Sequence, residues 1–210
     1  MHASQTASRR PDRPFVTVRT LLAADFDGAC AALMRRVETQ YAPDLLVGIR
    51  TGGLVVAEAM ARAAVRPVTV LPLTCRRAST GTKARLGLLR TAATRLPRPM
   101  LDHLRVLEHR LLTGRRKASV ALQPFDHHEA ATISAHIAAV SGSRVLVVDD
   151  AVDSGVTLAT VLGLLRQTSA ATEIRSAVIT VTLDDPRVEP DFALYRGVLC
   201  RFPWSFDAGR

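Results

Sequence analysis

The chain has 210 residues, of which 48% are hydrophobic and 4% aromatic, and its net charge is +9. This length is enough for one α/β domain with a hydrophobic core and short for two, and the composition suits helices packed on a parallel sheet. We find no apolar run near the roughly 20 residues that span a bilayer, no signal-peptide core and no C-x-x-C pair, so we expect a cytoplasmic protein with reduced thiols and no membrane partner.

The N-terminal part predicts a tail followed by a strand and a helix. Residues 1–14 are polar and basic and contain two prolines, which predicts a disordered tail ahead of a single domain at 15–210. Residues 15–20 alternate in hydrophobicity and predict a short strand in an edge or hood position. From residue 24 to about residue 41, apolar side chains recur at helical spacing, which predicts an amphipathic helix at 24–41.

The next apolar run, LLVGI at 45–49, predicts a buried strand, and the RTGG turn at 50–53 follows it. A helix with a small-residue face is predicted after the turn. A glycine pair in this place also occurs in ordinary helix-entry turns, so the turn alone is weak evidence for a ligand site. A third strand is predicted at 65–73, with Pro67 near its start, where a missing N–H is tolerated.

The positive charge is concentrated between Thr74 and Lys117. Twelve basic and two acidic residues give this segment a charge of +10, which leaves −1 for the remainder of the chain. Residues 83–96 and 101–112 have helical patterns separated by two prolines, so we predict a basic, partly helical insertion at 74–117. Such a charge steers polyanions, either a pyrophosphorylated sugar or a nucleic acid, and a solvated basic helical face is the alternative interpretation.

A helix with three histidines is predicted from Asp126 to about Val140. Zinc ligands on one helical face are typically spaced i, i+4, and His127, His128 and His136 do not supply that spacing. We therefore favour solvent-facing histidines over a metal site in this helix.

Residues 144–158, RVLVVDDAVDSGVTL, carry the strongest chemical signal. Residues 145–148 predict a strand buried on both faces, which ends at Asp149 and Asp150 and is followed by a small-residue loop and a helix that opens near Thr157. Backbone N–H groups and hydroxyls of such a loop bind phosphate at a helix N-terminus, and the carboxylates suit diol hydroxyls or a hard cation. The pattern predicts a sugar-phosphate site.

Other interpretations of this stretch are weaker. A strand that ends in two acids also accompanies a phosphate-binding P-loop, but the chain has no G-x-x-x-x-G-K-[ST] and no G-x-G-x-x-G. A purely structural strand-turn-helix has little use for three carboxylates within five residues. Further along, a β-branched strand is predicted at 174–183, and a short strand followed by FPW at 202–204 closes the pattern.

Two of these segments resemble one family. VVDDAVDSGVTL at 147–158 resembles the phosphoribosyl-pyrophosphate-binding motif of type I phosphoribosyltransferases, and VGIRTGGL at 47–54 is similar to their pyrophosphate-binding loop, in the family's order. The FPW ending resembles the base-covering part of the xanthine–guanine-type members. The resemblance implies an α/β fold with a doubly wound, mostly parallel sheet and a small hood built from the terminal segments.

The resemblance also implies a reaction. Ribose 5-phosphate passes from phosphoribosyl pyrophosphate to a nitrogen of a heterocyclic base, pyrophosphate is released, and Mg²⁺ is the cofactor. A mobile loop is implied at the place of the basic segment. We expect a homo-oligomer, a dimer. A second hypothesis, from another class, is a regulator that retains the fold to sense phosphoribosyl pyrophosphate and binds nucleic acid through the basic segment.

The implied site residues form several groups. The implied catalytic residues are Asp149, Asp150 and Asp153, and the implied ligands of the ribose hydroxyls and of Mg²⁺ are Asp149 and Asp150. The implied 5-phosphate loop is Asp153, Ser154, Gly155, Val156 and Thr157. The implied pyrophosphate loop is Arg50, Thr51, Gly52 and Gly53, with a non-proline cis bond after Arg50. The flexible-loop candidates are Arg76, Arg77, Lys83 and Arg85. The base-covering candidates are Thr182, Leu199, Cys200 and Trp204.

The identity of the acceptor base stays open. Members that act on 6-oxopurines have an aspartate at the place of Asp153, near the base nitrogens, whereas adenine and orotate members usually have alanine. The lysine that reads the exocyclic oxygen should fall near Thr182, and the stacking aromatic near Leu199, and neither is there. The resemblance therefore implies a purine-like or specialised heterocycle.

Overall fold

The computed structural model describes residues 17–75, 126–139, 144–168, 171 and 173–205. The predicted tail at 1–14 and residues 76–117 of the predicted basic insertion lie outside this part of the chain. Within it, no helix is both long enough and apolar enough to cross a membrane.

The described residues form seven strands and four helices. The strands are β1 (Thr17–Thr20), β2 (Leu45–Ile49), β3 (Thr69–Leu73), β4 (Arg144–Val152), β5 (Glu173–Val181), β6 (Phe192–Arg196) and β7 (Val198–Arg201). The helices are α1 (Ala24–Glu38), α2 (Gly52–Ala63), α3 (His127–Ala139) and α4 (Val156–Thr168).

Five parallel strands form the central sheet in the order β3-β2-β4-β5-β6. The order reverses between β2 and β4, because β2 leads to β3 on one side and β4 leads to β5 and β6 on the other. In open α/β sheets, ligands bind beyond the carboxyl ends of the strands at such a switch point. The expected doubly wound parallel sheet is confirmed.

Helices cover both faces of the sheet, which explains why its central strands are apolar throughout. Leu46 and Leu146 belong to a core formed with α1 and α2. Their neighbours Leu45 and Val145 point to the opposite face and join a second core with α3 and α4. Alternate residues of one strand therefore serve two hydrophobic cores.

The terminal segments form the predicted hood. β1 pairs in parallel with β7 in a separate two-stranded sheet, and the N–H of Leu21 donates to Arg201 O at 2.8 Å. The Arg201 side chain is 3% exposed and donates from NH1 to Thr20 Oγ1 at 2.7 Å. This sheet carries the last described residues toward the carboxyl edge of the central sheet.

Several predicted boundaries were wrong. β4 does not stop before Asp149 but continues to Val152, because Asp149 and residues 151–152 still pair with β5. β3 begins at Thr69, after Pro67, rather than at residue 65. α1 ends at Glu38 rather than near residue 41, and β5 ends at residue 181 rather than 183. The edge strand β6 was missed.

The Tyr41 hydroxyl links β4 and β5 near their amino ends. It lies 3.0 Å from Val145 O and 2.9 Å from Glu173 O, and it can donate to either. Burial, followed by the charge of Glu173, raises the pKa of this hydroxyl above its ordinary value. We expect Tyr41→Phe to lower the free energy of unfolding by about 1–2 kcal/mol, measured by urea denaturation at pH 7.

The same variant gives a pH prediction with a defined sign. The pKa of Tyr41 is raised in the folded state, and an unfolded tyrosine titrates near pH 10. The hydroxyl therefore contributes fully to the free energy of unfolding below about pH 10. Its contribution declines as the pH rises toward the pKa of the folded state. The stability difference between the parent and Tyr41→Phe should therefore shrink above about pH 10. The control is Tyr195→Phe. The ring of Tyr195 lies under the Arg19 guanidinium, whose Cζ is 4.8 Å from the ring centroid. A difference that grows with pH would contradict the assignment.

Candidate functional site at the carboxyl edge of the sheet

A cavity of about 280 Å³ opens where β2 and β4 end, at the switch point of the sheet. It is lined by Ile49, Arg50, Thr51, Gly52, Cys75, Asp149, Asp150, Thr157 and Trp204. The turn after β2, the acidic end of β4, the first turn of α4 and the C-terminal aromatic therefore meet around one space, although they lie far apart in the sequence.

Two carboxylates border this cavity. Asp149 is 6% exposed, and its Oδ1 accepts the N–H of Asp150 at 2.9 Å. Asp150 uses both oxygens: Oδ1 accepts the N–H of Ala151 at 2.9 Å, and Oδ2 accepts Nε1–H of Trp204 at 3.0 Å. A carboxylate has about four lone-pair positions, so these two bonds leave Asp150 able to accept hydroxyls or to bind a hard cation.

The turn after β2 packs directly on β4. The Arg50–Thr51 peptide bond is cis, as predicted, and α2 begins at Gly52. A Cβ on Gly52 would lie 2.1 Å from Asp150 Oδ2, and a Cβ on Gly53 would lie 2.4 Å from the backbone oxygen of Val148. Glycine at both positions therefore lets the N-terminus of α2, whose first N–H groups have no partner within the helix, approach the acidic strand.

Glu129, in the first helical turn of α3, accepts hydrogen bonds from the turn after β2 and from the residue after β3. Arg50 Nε donates to Glu129 Oε1 at 3.1 Å, and the N–H of Thr74 donates to Oε2. Asp126 caps the same helix, since its Oδ1 accepts the N–H of His128 at 3.0 Å and that of Glu129 at 3.1 Å. Glu129 was not predicted as a site residue, because no local pattern connects it with Arg50, which is 79 positions away.

The loop before α4 is braced by the connection between β5 and β6. Gly155 has φ +73°, and a Cβ there would lie 2.8 Å from the backbone nitrogen of Val188. Ser154 O accepts the N–H of Arg187 at 2.8 Å. This bracing fixes the loop so that α4 begins at Val156 and Thr157 reaches the cavity.

Asp153 lies beside the cavity lining rather than in it. Its Oδ1 accepts the Thr182 hydroxyl at 2.6 Å, and Thr182, whose N–H also donates to Val152 O at 2.9 Å, is 8% exposed. The position at which the resemblance implies a lysine therefore holds a buried hydroxyl that contacts Asp153.

The base-covering candidates separate into two groups. Trp204 lines the cavity and is 36% exposed, whereas Leu199 and Cys200 are each 8% exposed within β7 and lie outside the lining. The flexible-loop candidates Arg76, Arg77, Lys83 and Arg85 lie outside the described residues. In the part of the chain that the structure describes, no three His, Cys, Asp or Glu side chains group closely enough to hold a metal ion by themselves.

The fold and the cavity together define a doubly wound α/β protein with a carboxylate-bordered ligand cavity at its switch point. The sequence profile of the phosphoribosyl transferase domain matches residues 23–208, and the chain belongs to this family, the type I phosphoribosyltransferases. The resemblance carried by the two motifs is thereby confirmed. Among curated proteins, no sequence matches the chain.

Several solved structures share this fold. The purine phosphoribosyltransferase from Pyrococcus horikoshii Ot3 is 19% identical, with a TM-score of 0.52 over 85% of this chain and 87% of that one. The xanthine-guanine-hypoxanthine phosphoribosyltransferase from Helicobacter pylori is 15% identical, with a TM-score of 0.54 over 90% and 93%. A hypothetical protein from Neisseria gonorrhoeae with bound ppGpp is 14% identical, with a TM-score of 0.54 over 90% of both chains. At these identities the likeness is one of fold.

Proposed function

We propose that the chain is a phosphoribosyltransferase that transfers ribose 5-phosphate from phosphoribosyl pyrophosphate to a nitrogen of a purine-like or specialised heterocycle. The observation that carries the proposal is that Arg50–Gly52, Asp149–Asp150 and Thr157 line one shared cavity. It combines the groups that a sugar carrying a phosphate and a diphosphate needs, and the family of the chain supports this reaction class.

The donor would be bound at three points. The carboxylates of Asp149 and Asp150 accept the ribose hydroxyls in charge-assisted hydrogen bonds. The loop at 153–157 binds the 5-phosphate with backbone N–H groups, the Thr157 hydroxyl and the N-terminus of α4. The N-terminus of α2 and the Arg50 guanidinium, which Glu129 orients, bind the diphosphate.

The groups around the cavity suit Mg²⁺. This ion is usually held by one or two carboxylates together with water and substrate phosphates, so a site with Asp149 and Asp150 needs no third protein ligand. When bound, the ion neutralises negative charge on the departing diphosphate.

In the proposed reaction, the bond between the sugar carbon C1 and the diphosphate oxygen breaks, and a bond between C1 and the base nitrogen forms. Positive charge develops on the sugar, and the carboxylates of Asp149 and Asp150 stabilise it. Asp153 is the proposed acceptor of the proton that the base nitrogen loses, with its carboxylate oriented by the Thr182 hydroxyl. Water must be excluded while the sugar is electron-poor.

The full chain tests this proposal in a pyrophosphate-release assay with phosphoribosyl pyrophosphate, Mg²⁺ and a panel of bases that includes adenine, guanine, hypoxanthine, xanthine and orotate. We expect at least one base to give stoichiometric nucleotide and pyrophosphate. The second candidate, a regulator, is favoured by the charge of +10 between Thr74 and Lys117. If no base is turned over while duplex DNA or RNA binds with a steep salt dependence, the enzyme proposal fails and the regulator is supported.

A further inference from the structure

Trp204 contacts the donor side of the cavity rather than only a space for the base. Its Nε1–H donates to Asp150 Oδ2 at 3.0 Å, and the indole lines the same cavity as Asp150 and Thr157. The base-covering role implied by the sequence does not require this contact. The indole therefore also contacts the carboxylate that is proposed to bind the ribose.

The indole is held in place by two buried aromatic rings. Phe202 stacks on it with 5.0 Å between ring centroids and an angle of 6°, and Phe26 of α1 meets it edge-on at 5.5 Å. Both phenylalanines are 5% exposed and belong to the core shared by α1 and α2. These contacts place the Nε1–H group in a fixed position relative to the sheet, so the indole is suited to orienting a partner.

The backbone of the turn closes around the same hydrogen bond. A Cβ on Gly52 would lie 2.1 Å from Asp150 Oδ2 and 3.0 Å from Trp204 Nε1, so glycine leaves just enough space for the two groups to meet. The bond between Trp204 and Asp150 thus joins the C-terminal aromatic, β4 and the turn after β2.

The orientation of the Asp150 carboxylate follows from this arrangement. The terminal torsion of an aspartate is broad and only weakly restricted on its own. At Asp150, the N–H of Ala151 binds Oδ1 and the Trp204 indole binds Oδ2, and two donors on two different oxygens define the plane of the group. Without the indole donor, only the bond from the N–H of Ala151 to Oδ1 restrains the plane of the carboxylate.

We propose that Trp204 is a positioning residue for the donor sugar, which fixes the Asp150 carboxylate so that its remaining lone pairs face the ribose hydroxyls. This inference rests on the proposed function and assigns the C-terminal aromatic to donor binding. A positioning role of Trp204 can be distinguished from a base-covering role. In a positioning role, loss of the indole N–H should weaken donor binding and leave the affinity for the acceptor base unchanged.

The test uses Trp204→Phe, which keeps an aromatic ring and removes the N–H. The dissociation constant of phosphoribosyl pyrophosphate is measured by calorimetry with Mg²⁺ and without a base. We expect it to rise about 10-fold, as for loss of a hydrogen bond to a charged group. In kinetics with an active base, KM for the donor should rise similarly, while KM for the base stays within about twofold.

The sequence offers a matched control, because Trp204 is the only tryptophan in the chain. Protein labelled with 5-fluorotryptophan keeps the ring and the N–H at this one position and should bind the donor with parental affinity. Biosynthetic replacement by benzothienylalanine, an isostere with sulfur in place of the N–H, should reproduce the Trp204→Phe result even if the phenylalanine variant folds poorly.

The outcomes are distinguishable. If the parent protein binds no phosphoribosyl pyrophosphate, the proposed function fails at its donor site. If the parent binds it and Trp204→Phe binds it equally well, the function stands and the positioning role is wrong. If only KM for the base rises, Trp204 covers the base and does not position Asp150.

Discussion

The variant Asp149→Asn/Asp150→Asn is expected to lose binding of phosphoribosyl pyrophosphate by about 10²- to 10⁴-fold. A hydrogen bond to a charged group contributes about 1.5–3 kcal/mol, and two such groups border the cavity. The amides keep the size and the carbonyl acceptors but remove both negative charges, and with them the proposed site for Mg²⁺ and the ribose hydroxyls. Calorimetry with Mg²⁺ and without a base measures the loss directly.

The single variants should differ for a structural reason. In Asp149→Asn, the amide oxygen can still accept the N–H of residue 150, as Oδ1 of Asp149 does at 2.9 Å. In Asp150→Asn, one oxygen becomes an NH₂ group, although both oxygens of Asp150 now accept N–H donors, from Ala151 and from Trp204. Asp150→Asn should therefore also disturb Trp204, whereas Asp149→Asn keeps an acceptor for the N–H of residue 150.

A control removes a carboxylate that is not part of the cavity lining. Glu189 is half exposed and pairs with Arg196 NH1 at 2.7 Å, so Glu189→Gln removes one negative charge, as each single variant does, without changing a residue of the cavity lining. It should leave donor affinity and melting temperature essentially unchanged. Parental affinity in the Asp149→Asn/Asp150→Asn variant, with its melting temperature intact, would show that these carboxylates do not bind the donor.

The central part of the fold was predictable because its signals are local. Residues 45–49 and 145–148 are short apolar runs typical of a strand buried on both faces, and the structure buries them completely. The glycine turn follows the first run and the two aspartates follow the second, and parallel pairing of β2 with β4 brings them to the same edge of the sheet. The donor side of the site therefore follows from sequence patterns and one topological rule.

Features that depend on distant partners were not predictable. β4 extends beyond Asp149 because β5 continues beside it, and the sequence of β4 alone does not give the length of its neighbour. β6 is a short edge strand without a distinctive pattern, and it was missed. The sequence marked the absence of a lysine near Thr182, but only the fold shows that this hydroxyl contacts Asp153.

Gly53→Ala is expected to displace the turn after β2 from the acidic strand. The new methyl group would lie 2.4 Å from Val148 O and 2.8 Å from Asp149 Cα, and both are backbone atoms of the central strand β4, which cannot rotate away as a side chain can. We expect a loss of about 1–3 kcal/mol in the free energy of unfolding, as for overpacked cores, measured by urea denaturation.

The same variant links the packing of the turn to ligand binding. A turn pushed away from β4 moves the N-terminus of α2 relative to Asp149, so donor affinity should fall more than the loss of stability alone explains. Gly163→Ala is the control, because a Cβ at Gly163 in α4 meets nothing within 4 Å and alanine should stabilise this helix by about 0.5–1 kcal/mol. If Gly53→Ala keeps parental stability and donor affinity, the close approach of this turn to β4 is not needed for the site. Glycine would then occur at position 53 for another reason.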